Sequence, residues 1–329
     1  MDMNIFRNIN TRNNIEKILF ISSIIISCAL IVFEYYEVER IEPAHDAAVV
    51  AAIASVTQNL HVYEDNKKQT PHGGSIFKKK QENVDPVLAV EAAGIADENG
   101  EMLFEKNSNN RWPMASLTKL MTAAVAIRHM DMSQEILYDS ATMSMPVGVT
   151  SNVISSGMRI RIADVIKIML AVSDNQAAEL IAGSYGRQEF VNEMNKQARA
   201  WGMYDTHFDD PTGLSVSNQS TVHNLVIMTK HIAAQYPQIL QSTTLPQSEF
   251  TDTALGRTIP LGNINQFAGE GDFKGGKTGY TDEAGGNLIS VFSYQTHPVT
   301  VIVLGTGDRF GQTKKLLNWF KRSFDNKSL

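Results

Sequence analysis

The sequence predicts an α+β domain over residues 84–329. One antiparallel sheet of about five strands is assembled from both ends of the domain and flanked by helices, with a mostly helical insert between its halves. Three observations carry this. Apolar and β-branched runs with turn signals lie at 87–105 and again at 287–304. Between them apolar residues recur at helical spacing. No internal repeat divides the chain, which leaves one folded domain. With 329 residues, 43% of them hydrophobic and 19% charged, the chain can bury a sizeable core and is far from a disordered composition.

Ahead of the domain, residues 18–33 are uncharged and mostly apolar, and Tyr35 and Tyr36 extend the run toward an interface. At ~1.5 Å per residue the run is a little short for a ~30 Å hydrocarbon core unless the tyrosines and Lys17 anchor its ends. Arg7, Arg12 and Lys17 precede it, whereas Arg40 follows among Glu34, Glu37, Glu39 and Glu42. That asymmetry puts 1–17 in the cytoplasm and the bulk of the chain outside. The nearest convincing small-residue cleavage site, Ala52-Ile53-Ala54, is too far downstream for a signal peptidase. Residues 18–36 are therefore expected to stay as a single-pass signal-anchor in the cell membrane. Ile25-Ile26-Ser27-Cys28 looks like a lipobox, but the apolar run continues past Cys28, where a lipobox ends it. Residues 37–83 read as a juxtamembrane segment and linker. An Ala-rich stretch at 44–60 could form a short helix, and 66–81 is Lys-rich with almost no apolar content, so its lysines read as solvated spacer charges.

Within the domain, 87–96 is a strand, Asp97-Glu98-Asn99-Gly100 a turn, and 101–105 the returning strand. After Pro113 the period changes: Leu117, Leu120, Met121, Ala124 and Val125 mark the buried stripe of a helix. Helices at 162–172 and 176–182 are broken by Ser173-Asp174-Asn175, and 190–201 and 221–235 are also helical in pattern. Residues 287–294 and 299–304 form a hairpin, and 312–324 closes the chain as an amphipathic helix with Leu316, Leu317, Phe320 and Phe324 on one side.

Composition excludes several functions. A net charge of −6 leaves no excess of Lys and Arg to neutralise phosphates, which argues against nucleic acid as a partner. A single cysteine rules out an intrachain disulfide and any Cys-rich metal site. The eight His are scattered and no HExxH occurs, so neither a metal nor another cofactor is expected.

Three short patterns remain: Ser116-Leu117-Thr118-Lys119, Ser173-Asp174-Asn175 and Lys277-Thr278-Gly279. The first two have decoys in this same chain, Ser75-Ile76-Phe77-Lys78 and Ser108-Asn109-Asn110, so context must decide. Ser116 begins a helix, where its main-chain N–H and the helix dipole can stabilise charge on an attacked carbonyl. Lys119 is one turn away on the same face, and a partly desolvated amine there can take the hydroxyl proton. Ser173 and Asn175 sit at a helix break, from which polar side chains can project into a cleft. Gly279, with Gly275, Gly276, Gly285 and Gly286, lets a substrate backbone approach closely. Each pattern alone reads better as an N-cap, a helix break or a turn. Their joint occurrence in this order, each in a fitting context, favours acyl-transfer catalysis.

The triplet resembles penicillin-binding proteins and class A β-lactamases, for which it is a standard signature. The wider wording at 113–122, Asp210-Pro211-Thr212-Gly213-Leu214, and 276–285 closely resembles D-alanyl-D-alanine carboxypeptidases, low-molecular-mass penicillin-binding serine peptidases of the bacterial cell wall. The resemblance runs from about 84 to 324. It departs at Asp174, where many relatives carry Gly, and at Tyr280, where some carry His. A β-rich C-terminal domain found in several relatives is also missing from this sequence. The resemblance implies a penicillin-binding, β-lactamase-like fold that takes peptidoglycan stem peptides ending in D-Ala-D-Ala and is inhibited covalently by β-lactams. It implies Ser116 as nucleophile and Lys119 as general base, with Ser173 and Asn175 relaying the proton and holding the substrate amide. Lys277 and Thr278 would meet the terminal carboxylate, and the N–H groups of Ser116 and Tyr280, beside Gly279, would form the oxyanion hole. Arg309 resembles a family arginine near that carboxylate and reads almost as well as a surface turn residue.

The rival readings are specific. Residues 271–278 match the phosphate-binding pattern GxxxxGK[ST], but a P-loop needs an apolar strand before it and a helix after it. A β-lactamase of class A needs a Glu-x-x-Leu-Asn loop, and none lies between Ser173 and Lys277; Asp209-Asp210-Pro211-Thr212-Gly213-Leu214 takes its place. A D,D-endopeptidase and a catalytically inactive peptidoglycan-binding relative complete the alternatives.

Overall fold

A computed structural model describes residues 75–80, 84–143, 145, 146 and 149–326. The expected anchor at 18–36, Cys28 and the Ala-rich stretch at 44–60 lie outside the described residues. Among the described residues, no helix is long and apolar enough to cross a membrane.

The central sheet is antiparallel with five strands in the order β3-β4-β5-β1-β2. These are β1 (Ala92–Ala96), β2 (Met102–Lys106), β3 (Phe273–Thr281), β4 (Gly285–Tyr294) and β5 (His297–Thr306). The two ends of the domain meet where β5 pairs with β1, Leu304 opposite Ala92 and Thr300 opposite Ala96. Alternation along the strands feeds two separate cores. Val299, Val301 and Val303 of β5 and Leu288 and Phe292 of β4 face one. Ile302, Leu304, Ile289 and Val291 face the other. Both sheet faces are thus covered, so these strands read as continuous apolar runs.

One face is covered by the C-terminal helix, α7 (Arg309–Ser323), through Leu316, Leu317, Trp319 and Phe320. The other carries the helical insert: α1 (Lys119–His129), α2 (Ile162–Ala171), α3 (Asn175–Tyr185), α4 (Arg187–Ala200), α5 (Val222–Gln235) and the short α6 (Pro237–Gln241). The predicted stripe of α1 is buried, Leu120, Met121 and Val125 being fully excluded from solvent.

Three expectations change. The linker reading of 66–81 fails at its end, because Phe77–Lys79 is a strand paired antiparallel with Phe324–Asn326. Phe77 is 3% exposed and packs edge-on against Phe320, ring centroids 5.1 Å apart. Its lysine neighbours point outward and hide the signal. Lys277-Thr278-Gly279, which alone reads as a turn, lies within β3, the edge strand. The hairpin Gln247–Asp252 with Arg257–Gly262 was not foreseen, its strands being largely polar and exposed. Since Phe77 docks the first described strand into the core, Phe77→Ala should cost roughly 3 kcal/mol, the low end for a buried Phe because a terminal strand can also fray. Urea unfolding reads this directly; an unchanged midpoint would mean that the strand adds nothing to the fold.

Candidate active site

Six segments converge on one open cleft of about 220 Å³ between the sheet edge and the insert. Its lining includes Ser116, Ser173, Asn175, Thr278, Gly279, Tyr280 and Arg309, together with Gly213, Leu214, Ile264 and Thr281. Lys119 and Lys277 lie beneath it, 0% and 1% exposed. Every residue singled out in the three motifs is therefore brought to one place, and Arg309 joins them. The decoys are not: Ser75 precedes the terminal strand and Lys78 lies within it, and the Ser108 hydroxyl donates to Glu105.

Ser116 sits in a 3-10 turn, Ala115–Thr118, that runs directly into α1. The α-helix proper begins only at Lys119, so Ser116 precedes its first turn instead of occupying it. The turn is pinned from several sides. Met114 N donates to Asn218 O at 2.8 Å, and Asn287 Nδ2 on β4 donates to Pro113 O at 2.8 Å. Ala115, with φ 49°, and Ser173, with φ 61°, hold left-handed backbone without being glycine, a local strain that tends to gather at functional sites. Two glycines permit the approach of neighbouring backbone. A Cβ on Gly213 (φ +87°) would fall 1.9 Å from Ala115 O, and one on Gly279 would fall 2.9 Å from Met114 O and 3.2 Å from Ser116 N. Strand β3 thereby passes against Ser116.

Lys119 Nζ is 2.8 Å from Ser116 Oγ, 2.7 Å from Asn175 Oδ1 and 2.7 Å from Thr212 O. The last two oxygens can only accept. A neutral amine has two N–H donors and one lone pair. Its two hydrogens go to Asn175 and Thr212, and the lone pair is left for the Ser116 hydroxyl. Burial lowers the Lys119 pKa to about 7, opposed by the nearby charges of Asp210, Asp174 and Glu179. Burial also carries Lys277 well below its ordinary value, helped by the positive charges of Lys119 and Arg309. Desolvation is thus the leading cause at both amines, and at Lys277 repulsion from Lys119 and Arg309 adds to it. Lys277 Nζ donates to Ser173 Oγ at 2.8 Å and to Thr278 O at 2.8 Å, so Ser173 links it to the cleft. Arg309, half-buried, donates from Nη1 to Gly279 O at 2.9 Å and is held against the β3 edge. Tyr280 is 61% exposed at the mouth, where its hydroxyl donates to Asp282 at 3.0 Å.

The arrangement can withdraw a proton from Ser116, and it offers donors and positive charge at the β3 edge to an anionic group. Among the described residues, no group of three or more His, Cys, Asp or Glu side chains is placed to hold a metal. The phosphate-loop reading fails on context, because residues 273–278 are themselves strand and β3 continues into a hairpin with no helix.

Several supporting roles gave no sequence signal. Asp174 caps α3 by accepting from Ala177 N at 2.8 Å, and it also accepts from the Ser151 hydroxyl. Asn218 and Asn287 are fully buried and hold backbone through both ends of their amides. Buried asparagines look like loop polarity until the fold places them.

Comparison with known proteins agrees with this geometry. A family profile of D-alanyl-D-alanine carboxypeptidases, peptidase S11, matches residues 78–308. A D-alanyl-D-alanine endopeptidase of Pseudomonas aeruginosa is 31% identical over 244 residues, covering 71% of this chain and 78% of the relative. The D-alanyl-D-alanine carboxypeptidase DacF of Bacillus subtilis is 29% identical over 262 residues, covering 74% and 66%. Among solved structures, penicillin-binding protein D2 of Listeria monocytogenes in its cefotaxime-bound form superposes with a TM-score of 0.64 at 31% identity, covering 72% of this chain and 99% of that one.

Proposed function

This chain belongs to the D-alanyl-D-alanine carboxypeptidase family, peptidase S11, and from that premise we propose that it removes the terminal D-alanine from peptidoglycan stem peptides through an acyl-enzyme on Ser116. The observation that carries the reading is the hydrogen bonding of buried Lys119, whose lone pair is left for the Ser116 hydroxyl. As Oγ bonds to the substrate carbonyl carbon, its proton passes to Lys119 Nζ and the carbonyl electrons move onto oxygen. The main-chain N–H groups of Ser116 and Tyr280 receive that oxyanion; one such donor is typically worth about 2.7–4 kcal/mol. When the tetrahedral carbon collapses, the C–N bond breaks and the leaving amine takes a proton from Lys119 by way of Ser173. The terminal carboxylate meets Thr278, Lys277 and Arg309. Water then hydrolyses the ester and regenerates Ser116.

A second reading, cleavage of a D,D cross-link, is favoured by the name of the P. aeruginosa relative. The cleft mouth accords with it, since Leu214, Ile264 and Tyr280 form an open apolar rim that leaves room for a larger leaving group. Mass spectrometry of a muropeptide digest separates the two. Carboxypeptidase action shortens monomers by one alanine, whereas endopeptidase action converts dimers to monomers.

A β-lactamase reading lacks its deacylating carboxylate. Of the two carboxylates in the loop that takes its place, Asp210 is buried with both oxygens in hydrogen bonds inside its own turn, and neither it nor Asp209 lines the cleft. Penicillin is therefore expected to acylate the protein and leave slowly. Rapid penicillin hydrolysis without D-alanine release would establish the β-lactamase instead, and failure to bind fluorescent penicillin would favour an inactive relative.

We further propose that residues 18–36 hold the protein in the bacterial membrane with the catalytic domain outside. Full-length protein should fractionate with membranes and keep its N-terminus. A mature N-terminus just after the apolar run would contradict this.

A further inference from the structure

The turn Asp210–Gly213 supplies none of the three motifs, yet it provides one of the acceptors that hold Lys119. Its shape is set by Asp210, which is 7% exposed. Oδ1 accepts from Thr212 N at 2.7 Å, Thr212 Oγ1 at 2.8 Å and Gly213 N at 2.6 Å, and Oδ2 accepts from Ser215 N at 2.7 Å. Four donors on one carboxylate leave the turn a single geometry. That geometry is fastened to the start of α1 at three points. Asn218 Nδ2 donates to both Thr118 Oγ1 and Asp210 O. Thr122 Oγ1 donates to Pro211 O at 2.6 Å, and Lys119 Nζ donates to Thr212 O at 2.7 Å.

The consequence falls on the lysine lone pair. With the Thr212 carbonyl in place, both amine hydrogens are taken and only the lone pair can face Ser116. Were that carbonyl displaced, an N–H would be free to turn toward Ser116 Oγ, and the amine would meet the hydroxyl as a donor. We propose that Asp210 is a positioning residue for Lys119: by folding the turn that presents the Thr212 carbonyl, it aims the amine's lone pair at Ser116. The inference rests on the reading of Lys119 as the base.

The test is Asp210→Asn in the full chain, followed by stopped-flow acylation with fluorescent penicillin across pH. The carboxamide can keep the Oδ1 contacts, but it then presents an NH₂ to Ser215 N and removes a negative charge. The acylation rate constant should fall roughly 10–100-fold, in keeping with small misplacements of reacting groups, while the prior non-covalent binding constant stays near wild type. The charged groups around Lys119 are Asp174 and Glu179 on the α3 side, the latter paired with Arg187 of α4, Lys277 on β3, and Asp210 itself. Loss of the Asp210 charge takes away support for the ammonium form, so the acidic midpoint of the rate profile should move to lower pH. The midpoint reports the charge beside Lys119, whereas the loss of rate above it, where the amine is already neutral, reports its aim, and a residue that served folding alone would leave that plateau at wild type. Thr212→Val loosens the same turn without changing charge; it should slow acylation several-fold with the midpoint unmoved, and it serves as the test should Asp210→Asn fail to fold. A folded Asp210→Asn with a wild-type rate above the midpoint, or a Thr212→Val with wild-type rate, would overturn the inference. Failure of the base assignment is distinguishable, because Lys119→Ala would then acylate normally.

Discussion

Ser116→Ala is expected to abolish both D-alanine release and penicillin labelling. Without Oγ there is no atom to carry the acyl group, and no neighbouring hydroxyl substitutes: Ser173 Oγ accepts from Lys277, and the Lys119 lone pair faces the Ser116 position. Loss of a serine nucleophile in a comparable hydrolase costs on the order of 10⁶-fold, with the residue of activity left to binding and oxyanion stabilisation. The variant should keep its fold, since Ser116 is only partly buried and contributes one side-chain contact there. Ser75→Ala is the matched control. Among the described residues its hydroxyl accepts from Phe77 N, far from the cleft lining, and the change should alter neither readout. Carboxypeptidase activity at the wild-type level in Ser116→Ala would collapse the assignment.

Lys119→Ala is expected to slow acylation by roughly 10²–10⁴-fold, the usual worth of a positioned proton acceptor. The pH profile makes the prediction sharper. Burial holds the Lys119 pKa at about 7, so the neutral, accepting amine dominates above that value. Below it the neutral fraction falls about tenfold per pH unit, and wild-type acylation should fall with it. In Lys119→Ala that limb should vanish along with most of the rate. A wild-type limb persisting in the variant would assign the titration to another group.

Much of this was legible in the sequence, and for physical reasons. The helical stripe of α1 follows from burial on one face and the continuous apolar runs of β4 and β5 from burial on both, so the pattern reports burial. The meeting of the two chain ends at β5 and β1 follows because each strand region needs partners. What could not be read was long-range. Strand β3 is disguised by Gly275, Gly276 and Gly279, which are there because backbone of Leu240, Ile289 and Met114 passes too close for a side chain. Ile76 and Phe77 are two apolar residues ahead of a run of lysines, and only the C-terminal strand beside them shows that Phe77 is core. Spacing within the Ser116–Lys119 motif placed two groups a turn apart. It could not show that the acceptors completing the lysine would be Asn175 and the main chain of Thr212, reached across 56 and 93 residues of sequence. In the sequence Asp210 stands out through the family wording and the loop that replaces the β-lactamase motif, not through any sign of what it holds. Its work, accepting four hydrogen bonds inside one turn, emerges from coordinates alone.

The central claim is that acyl transfer runs through Ser116, and peptide mapping by mass spectrometry after brief exposure to penicillin tests it most directly. The account predicts one penicilloyl adduct per chain, carried on the peptide that contains Ser116 and lost slowly, with none on the peptide that contains Ser75. An adduct on any other residue, or a full-occupancy adduct in Ser116→Ala, would contradict it.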